Sequence, residues 1–366
     1  MTGLDESVSQ PARVADPDEG ISLDELRLAA RNHGMPLEAL RYDVTPVGLH
    51  YLLIHYDIPD VNPPSWRLQV DGHVERPLTL DLADIQARAP VTRRVTLECA
   101  GNGRARLTPR PVSQPWLDEA VGTAEWTGTP LAPLLREAGI RDGAVELAFT
   151  GADHGFERGV EQDYQRGLPL DDALSEDVLI VHSMNGQPLL PQYGAPLRLI
   201  VPGWYGMAQV KWLVRISVLD APFDGYQNAI AYRIKQADED GEPVTRIRPR
   251  ALLQPPGSPD FQTRARVLDR GAHELTGRAW SGWGPVTRVE VSVDGCNSWD
   301  DAELGPQADR YAWRSWRWVW RIETPGRYEL SARATDAAGN IQPVEPPWNR
   351  QGMANNHAQR VPVTVR

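Results

Sequence analysis

A chain of 366 residues, 41% hydrophobic and 24% charged, is long enough to bury the cores of two or three domains. Its net charge of -11 excludes nucleic acid as the main partner, because phosphate binding needs a positive field. Cys99 and Cys296 stand in unlike contexts without CxxC spacing, which excludes a disulfide framework, a four-cysteine zinc site and c-type haem attachment, and no apolar run reaches the length of a membrane span.

Met1 to Gly20 is polar and acidic, with no apolar h-region or twin arginine. It predicts a disordered leader on a cytoplasmic protein, or a periplasmic one where a leader has been removed. Ser22 opens a capped amphipathic helix broken at Gly34 and Pro36. Thr45-Pro46 begins an extended apolar segment through Leu49, Tyr51, Leu53 and Ile54 to Pro59, predicted as a buried strand. Trp66 to Val74 alternates and turns at Asp71-Gly72, a hairpin signal. Leu80 to Ala87 reads as a short helix.

The stretch Val95-Thr96-Leu97-Glu98-Cys99-Ala100-Gly101-Asn102-Gly103-Arg104 follows. A β-branched run delivers one thiol into a Gly/Asn turn, and Arg104 is placed to favour the ionised sulfur or to hold an anion beside it. A helix over Leu131 to Ala138, a strand over Val145 to Thr150, a turn over Gly151 to Gly155 and a buried strand over Val178 to His182 come next. Asn185-Gly186 marks a tight turn. Pro196 to Pro202 reads as a strand carrying Arg198 inside an apolar run, and a buried arginine needs a partner.

After Tyr232 the composition turns polar, which puts a boundary near 245 to 255. Short alternating strands then recur at about ten-residue spacing: Gln262 to Leu268, His273 to Trp280, Thr287 to Asp294, Tyr311 to Ile322, Gly326 to Thr335 and Val361 to Arg366. That pattern predicts an immunoglobulin-like β-sandwich. The resulting division is a leader and helix over 1–40, a larger domain over 41–250 and the sandwich over 251–366.

Taken together, the motifs resemble the sulfite oxidase family of molybdenum enzymes. The resemblance is carried by Thr45-Pro46 with His55 to Pro59, by Leu97 to Asn102, and by Trp126 to Leu131. Met184 to Leu189, Gly194 to Arg198, Val201 to Gly206 with Val210 to Leu213, Ala332 to Asn340 and Trp348 to Asn356 extend it. It implies an α+β fold, with a mixed molybdopterin-binding domain followed by the sandwich as a dimerisation domain. It also implies a homodimer, and a molybdenum–molybdopterin cofactor with one pterin, no haem, and Cys99 as the metal's protein ligand. A soft thiolate suits such a metal. Cys296 is read as structural.

By position, the resemblance assigns His55, Asp153, Arg198, Gln209, Val210 and Lys211 to the pterin and its phosphate. It assigns Tyr232, Arg104 and Trp116 to the chemistry at the metal, and it puts Tyr193 where the family has a buried histidine. Two departures concern the substrate. Leu53-Ile54-His55 replaces an Arg-Asn-His triplet whose arginine grips the oxyanion, and a second pocket arginine falls on Gln351, beside Arg350. Sulfite is therefore expected to be a poor substrate unless Arg104, Arg106, Arg350 or His154 rebuilds the pocket.

The function implied is two-electron oxygen-atom transfer involving a small oxyanion or an S- or N-oxide, with electrons passed to an external carrier such as a c-type cytochrome. The alternatives are a reductase of an S-oxide, N-oxide or nitrate at the same centre, and a non-catalytic binding module presenting Trp313, Trp316, Trp318 and Trp320.

Overall fold

The computed structural model describes residues 13–157, 159–237 and 239–366. The first half of the chain builds two five-stranded sheets. One runs Leu78–Leu80, Leu68–Gly72, Leu213–Leu219, Glu146–Glu157, Val160–Pro169, with Leu68–Gly72 parallel to Leu213–Leu219. The other holds Val91–Glu98, Val121–Pro130, Leu179–Met184 and Gln187–Pro188, with Arg198–Ile200 added beside Leu179–Met184. Helix Leu131–Ala138 closes the core through Leu131, Leu134 and Leu135, and Gly139 ends it at φ 71°.

The second half is a sandwich. A four-stranded sheet of Arg250–Leu253, Gly271–Trp280, Arg314–Ile322 and Glu303–Leu304 faces a six-stranded one that includes Val286–Ser292, Gly326–Asp336 and Val361–Val365. Along Arg314–Ile322 the tryptophans point inward while Arg317 and Val319 point outward. Trp316 and Trp320 are buried core rather than a ligand face. The α+β architecture with a terminal sandwich is as the sequence predicts. Among the described residues no helix is long and apolar enough to cross a membrane.

Several local expectations are corrected. Residues 1–12 of the expected leader lie outside the described residues, but 13–20 are packed: Ala15 donates its N–H to the Arg110 carbonyl at 2.8 Å and is buried. The segment Thr45 to Pro59 is not a strand. It is a 3-10 turn at Val47–Leu49 followed by coil that exchanges hydrogen bonds with His33 through Leu52. Tyr51, Ile54 and Tyr56 are buried while Leu49 and Leu53 are half-buried and Ile58 is exposed, and side chains satisfy part of the backbone: Ile54 N–H by Asn32 Oδ1 and the Leu53 carbonyl by Lys211 Nζ. Residues 151–155 are not a free turn, since strand Glu146–Glu157 runs through them with a register shift between Thr150 and His154. In the hairpin the return strand is Leu78–Leu80, several residues beyond Gly72.

Candidate active site

Strand Val91–Glu98 is fully buried from Val95 onward and ends at Cys99, whose N–H is held by the Ala120 carbonyl at 2.9 Å. The chain then reverses, with Asn102 N–H returning to the Cys99 carbonyl at 3.0 Å and Gly103 at φ 86°. A side chain at Gly101 would place its Cβ 2.7 Å from the Arg104 guanidinium carbon, so glycine is what lets Arg104 fold back over the turn. Glu98 braces the reversal from beneath. It accepts from Asn102 Nδ2 at 2.9 Å and from Trp280 Nε1 at 2.8 Å, and pairs with Arg250 at 3.1 Å.

Cys99 and Tyr232 both line two adjoining cavities. The first is a slot of roughly 690 Å³ lined among others by His50, Leu53, His55, Asp153, Tyr193, Arg198, Gln209 and Lys211. Arg198 is buried, donates to the Tyr193 and Gln209 carbonyls at 3.0 and 3.3 Å, and lies 4.8 Å over the Trp126 ring, leaving its Nε without a partner. Burial lowers its pKa to about 10. Lys211 Nζ donates to the carbonyls of Leu53 and Gln192 at 2.8 and 3.1 Å, and burial, then Arg198, bring it down to about 7. Asp153, raised to about 6 by burial, keeps an unpartnered Oδ1, while His50, lowered to about 4 by burial, is neutral with Nε2 unpartnered. A buried arginine and a half-buried lysine, neither salt-bridged to a carboxylate among the described residues, with orphaned polar atoms around them, fit a polar ligand that ends in an anion.

Lys211→Met is therefore expected to act in opposite directions on binding and on stability. Affinity for that anion should fall roughly 10²-fold, the scale for truncating one partner of a buried charge contact. The ligand-free chain should gain stability at neutral pH. Lys211 has a folded pKa near 7 against about 10.4 unfolded, so the unfolded chain binds the extra proton between these values. This group thus makes the folded state more stable as pH rises through that window, and the full penalty stands below it. Thermal melts from pH 6 to 10, set beside pterin content, check both signs; an unchanged pH slope would remove the argument.

The second cavity is a larger cleft, of roughly 1100 Å³. Arg104 lies on its floor, buried, with Nε donating to the Gln351 carbonyl at 2.8 Å and Nη2 to Met353 Sδ at 3.4 Å. Burial pushes the Cys99 thiol up, while Arg104, the Gly101 backbone and Trp116 pull against it. Burial, reinforced by Cys99, pushes the Tyr232 phenol well above its ordinary value, so it keeps its proton at neutral pH. Arg166 sits 5.6 Å over the Tyr232 ring. His55 bridges slot and cleft and meets Glu157 at 3.0 Å.

Nine of the ten residues singled out from the sequence line the slot or the cleft; Val210 does not, its side chain being buried in the core and its carbonyl accepting from Leu199 N–H. Gln209 spends its amide on Val201 and Trp204 backbone groups, so it shapes the slot's wall. Of the four groups considered as replacements for an arginine at Leu53, only Arg104 faces the cleft. Arg106 pairs with Asp118, Arg350 is exposed, and His154 is exposed and bound to Asp163 and Glu161. Sequence reasoning missed His50, Glu157, Gln114 and Met353. Only His50, a histidine inside an apolar run, carried a local signal.

Comparison with known proteins matches residues 55–227 to the oxidoreductase molybdopterin binding domain and residues 258–366 to the Mo-co oxidoreductase dimerisation domain. Sulfite oxidase of Gallus gallus is 34% identical over 85% of this chain and 71% of its own length. Nitrate reductase [NADH] 1 of Arabidopsis thaliana is 30% identical over 99% of this chain, which spans 43% of that protein. Among solved structures, the sulfane dehydrogenase SoxCD from Paracoccus pantotrophus superposes with a TM-score of 0.79 at 26% identity, covering 97% of this chain and 88% of that one. A polar slot lined by Arg198 and Lys211, sharing the Cys99 thiol with a neighbouring cleft, has the chemistry to take a phosphorylated pterin. The chain belongs to the sulfite oxidase family of molybdopterin oxidoreductases, with molybdenum–molybdopterin as its cofactor.

Proposed function

We propose that the chain catalyses two-electron oxygen-atom transfer, with Cys99 as the metal's protein ligand, on a small oxyanion or an S- or N-oxide. The observation that carries this reading is the position of Cys99, at the junction between a cationic slot and an open cleft. Arg198 and Lys211 would hold the cofactor's phosphate, and His55 and Asp153, which line the same slot, would contact its pterin. When bound, the cofactor supplies oxygen-atom exchange and stores the two electrons. Tyr232 holds a proton beside the reacting oxygen. Arg104, buried beside Trp116 in the cleft lining, offers a fixed positive charge. Electrons leave or arrive singly through an external carrier such as a c-type cytochrome, and the protein works as a homodimer joined through the sandwich.

A second reading, reduction of an S-oxide, N-oxide or nitrate at the same centre, is favoured by Leu53. This residue lines slot and cleft, where the resemblance expects an arginine. A steady-state screen of sulfite against S-oxides, N-oxides and nitrate decides between the readings. Leu53→Arg is expected to raise sulfite kcat/KM roughly 10²-fold, the scale of one charged contact in a desolvated pocket. High sulfite efficiency in the unmodified enzyme would overturn the inference from Leu53. Absence of turnover of any oxide or oxyanion by molybdenum-loaded protein would overturn the oxygen-transfer reading itself.

A further inference from the structure

The outer wall of the cleft joins a helix that precedes the matched domains to a loop within the first of them. Helix Leu23–Arg31 contributes Leu28, and the loop after Arg110 contributes Pro111 and Val112. This wall is fixed in place. Ser22 and Glu25 form a capping box, and the buried Glu25 carboxylate pairs with Arg110 at 3.0 Å. Arg110 Nη2 donates to the Gly20 carbonyl at 2.7 Å. Asn32, just past the helix, ties both lips of the cleft together: its Oδ1 accepts from Ile54 N–H at 2.7 Å and its Nδ2 donates to Gln114 Oε1 at 3.0 Å. Ile54 and Phe156 extend the apolar surface. Against this stands one buried cation, Arg104, with N–H groups already engaged by the Gln351 carbonyl and Met353 sulfur.

Such a cleft discriminates by charge and by surface. A dianionic oxyanion entering it loses hydration along apolar walls and meets a guanidinium whose donors are partly spent. A neutral oxide carrying an apolar substituent loses little hydration at the same walls and gains contact with Leu28 and Val112. We infer that the substrate is a neutral organic S- or N-oxide, or its deoxygenated partner. Its oxygen points to the Cys99–Tyr232 junction, its apolar substituent lies against the Leu28 wall, and Leu28 and Val112 are specificity-determining residues. In the reducing direction the S–O or N–O bond breaks, two electrons from a reduced one-electron carrier and two protons are taken up, and the thioether or amine leaves with water. The inference rests on the oxygen-transfer reading and deepens it.

The test uses the molybdenum-loaded protein and two probes. Methyl phenyl sulfone, an unreactive mimic, is followed by saturation-transfer NMR, and methyl phenyl sulfoxide is followed by turnover with a reduced viologen. The sulfone is expected to bind, and Leu28→Asp and Val112→Asp are each expected to weaken it roughly tenfold and to raise the sulfoxide KM by a similar factor, with sulfate binding unaffected. Leu28 is only half-buried, so the Leu28 variant's thermal midpoint, compared with the parent's, shows that it folds. Sulfone binding that is absent, or indifferent to both substitutions, overturns the inference. If that result comes with efficient sulfite turnover, the oxygen-transfer reading stands without it. If the sulfone binds as expected and nothing is turned over, the oxygen-transfer reading fails.

Discussion

Replacing Cys99 with Ser is expected to lower turnover of any accepted substrate by at least roughly 10³-fold, equivalent to about 4 kcal/mol of transition-state stabilisation. The substitution exchanges one atom for a slightly smaller one in a buried position, and the backbone that holds Cys99 through Ala120 and Asn102 does not depend on the sulfur. The fold should therefore persist, with a thermal midpoint within about two degrees of the parent, since a near-isosteric exchange leaves packing almost intact. What is lost is a soft, ionisable donor facing both cavities, for which a hydroxyl is no substitute. Steady-state rates, molybdenum content and a thermal melt on the same preparation separate these effects. Retained turnover would remove Cys99 from the metal.

The second large effect lies one layer below. Arg250, the first residue of the sandwich's opening strand, is fully buried between two carboxylates of the other domain, with Nη1 at 3.1 Å from Glu98 and Nη2 at 2.8 Å from Asp118. Burial pushes Glu98 up, with Arg250 the chief opposing charge. Burial also pushes Asp118 up, but its bonds to His357, Arg250 and Arg106 win and hold it well below the usual carboxylate range. Arg250→Met leaves both carboxylates buried without their shared cation, a change that costs about 3–5 kcal/mol in comparable sites. The sign of the pH dependence identifies the cause. The parent's Asp118 contributes stability that is present above its unfolded value near 3.9 and is lost as pH falls. In the variant the carboxylates accept protons more readily, so its deficit should shrink between pH 8 and pH 5. Denaturant melts at both values check this, and a deficit independent of pH would point to packing instead.

The parts of the fold that were legible in the sequence are those with a local cause. Ser22 and Glu25 announce the helix they cap, the β-branched run before Cys99 announces its strand, and the alternating tryptophans at 316, 318 and 320 announce a sandwich face. The failures share a different cause. Tyr51, Ile54 and Tyr56 are buried like strand residues, but neighbours as remote as Asn32 and Lys211 satisfy the backbone, and periodicity does not reveal that. The site divides in the same way. The motifs around Cys99, Arg198 and Lys211 mark the slot. The cleft's orientation of Arg104 depends on Gln351 and Met353, far along the chain, which no local pattern signals.

That long reach has a consequence for the order in which the protein comes into being. Every slot residue named above lies at or before Tyr232, whereas the groups that fix Arg104 lie beyond nearly the whole sandwich. Domains emerge and fold from the N-terminal side during synthesis. On the ribosome, the residues that line the slot are therefore made well before residues 349–357 arrive to set the cleft in its final shape.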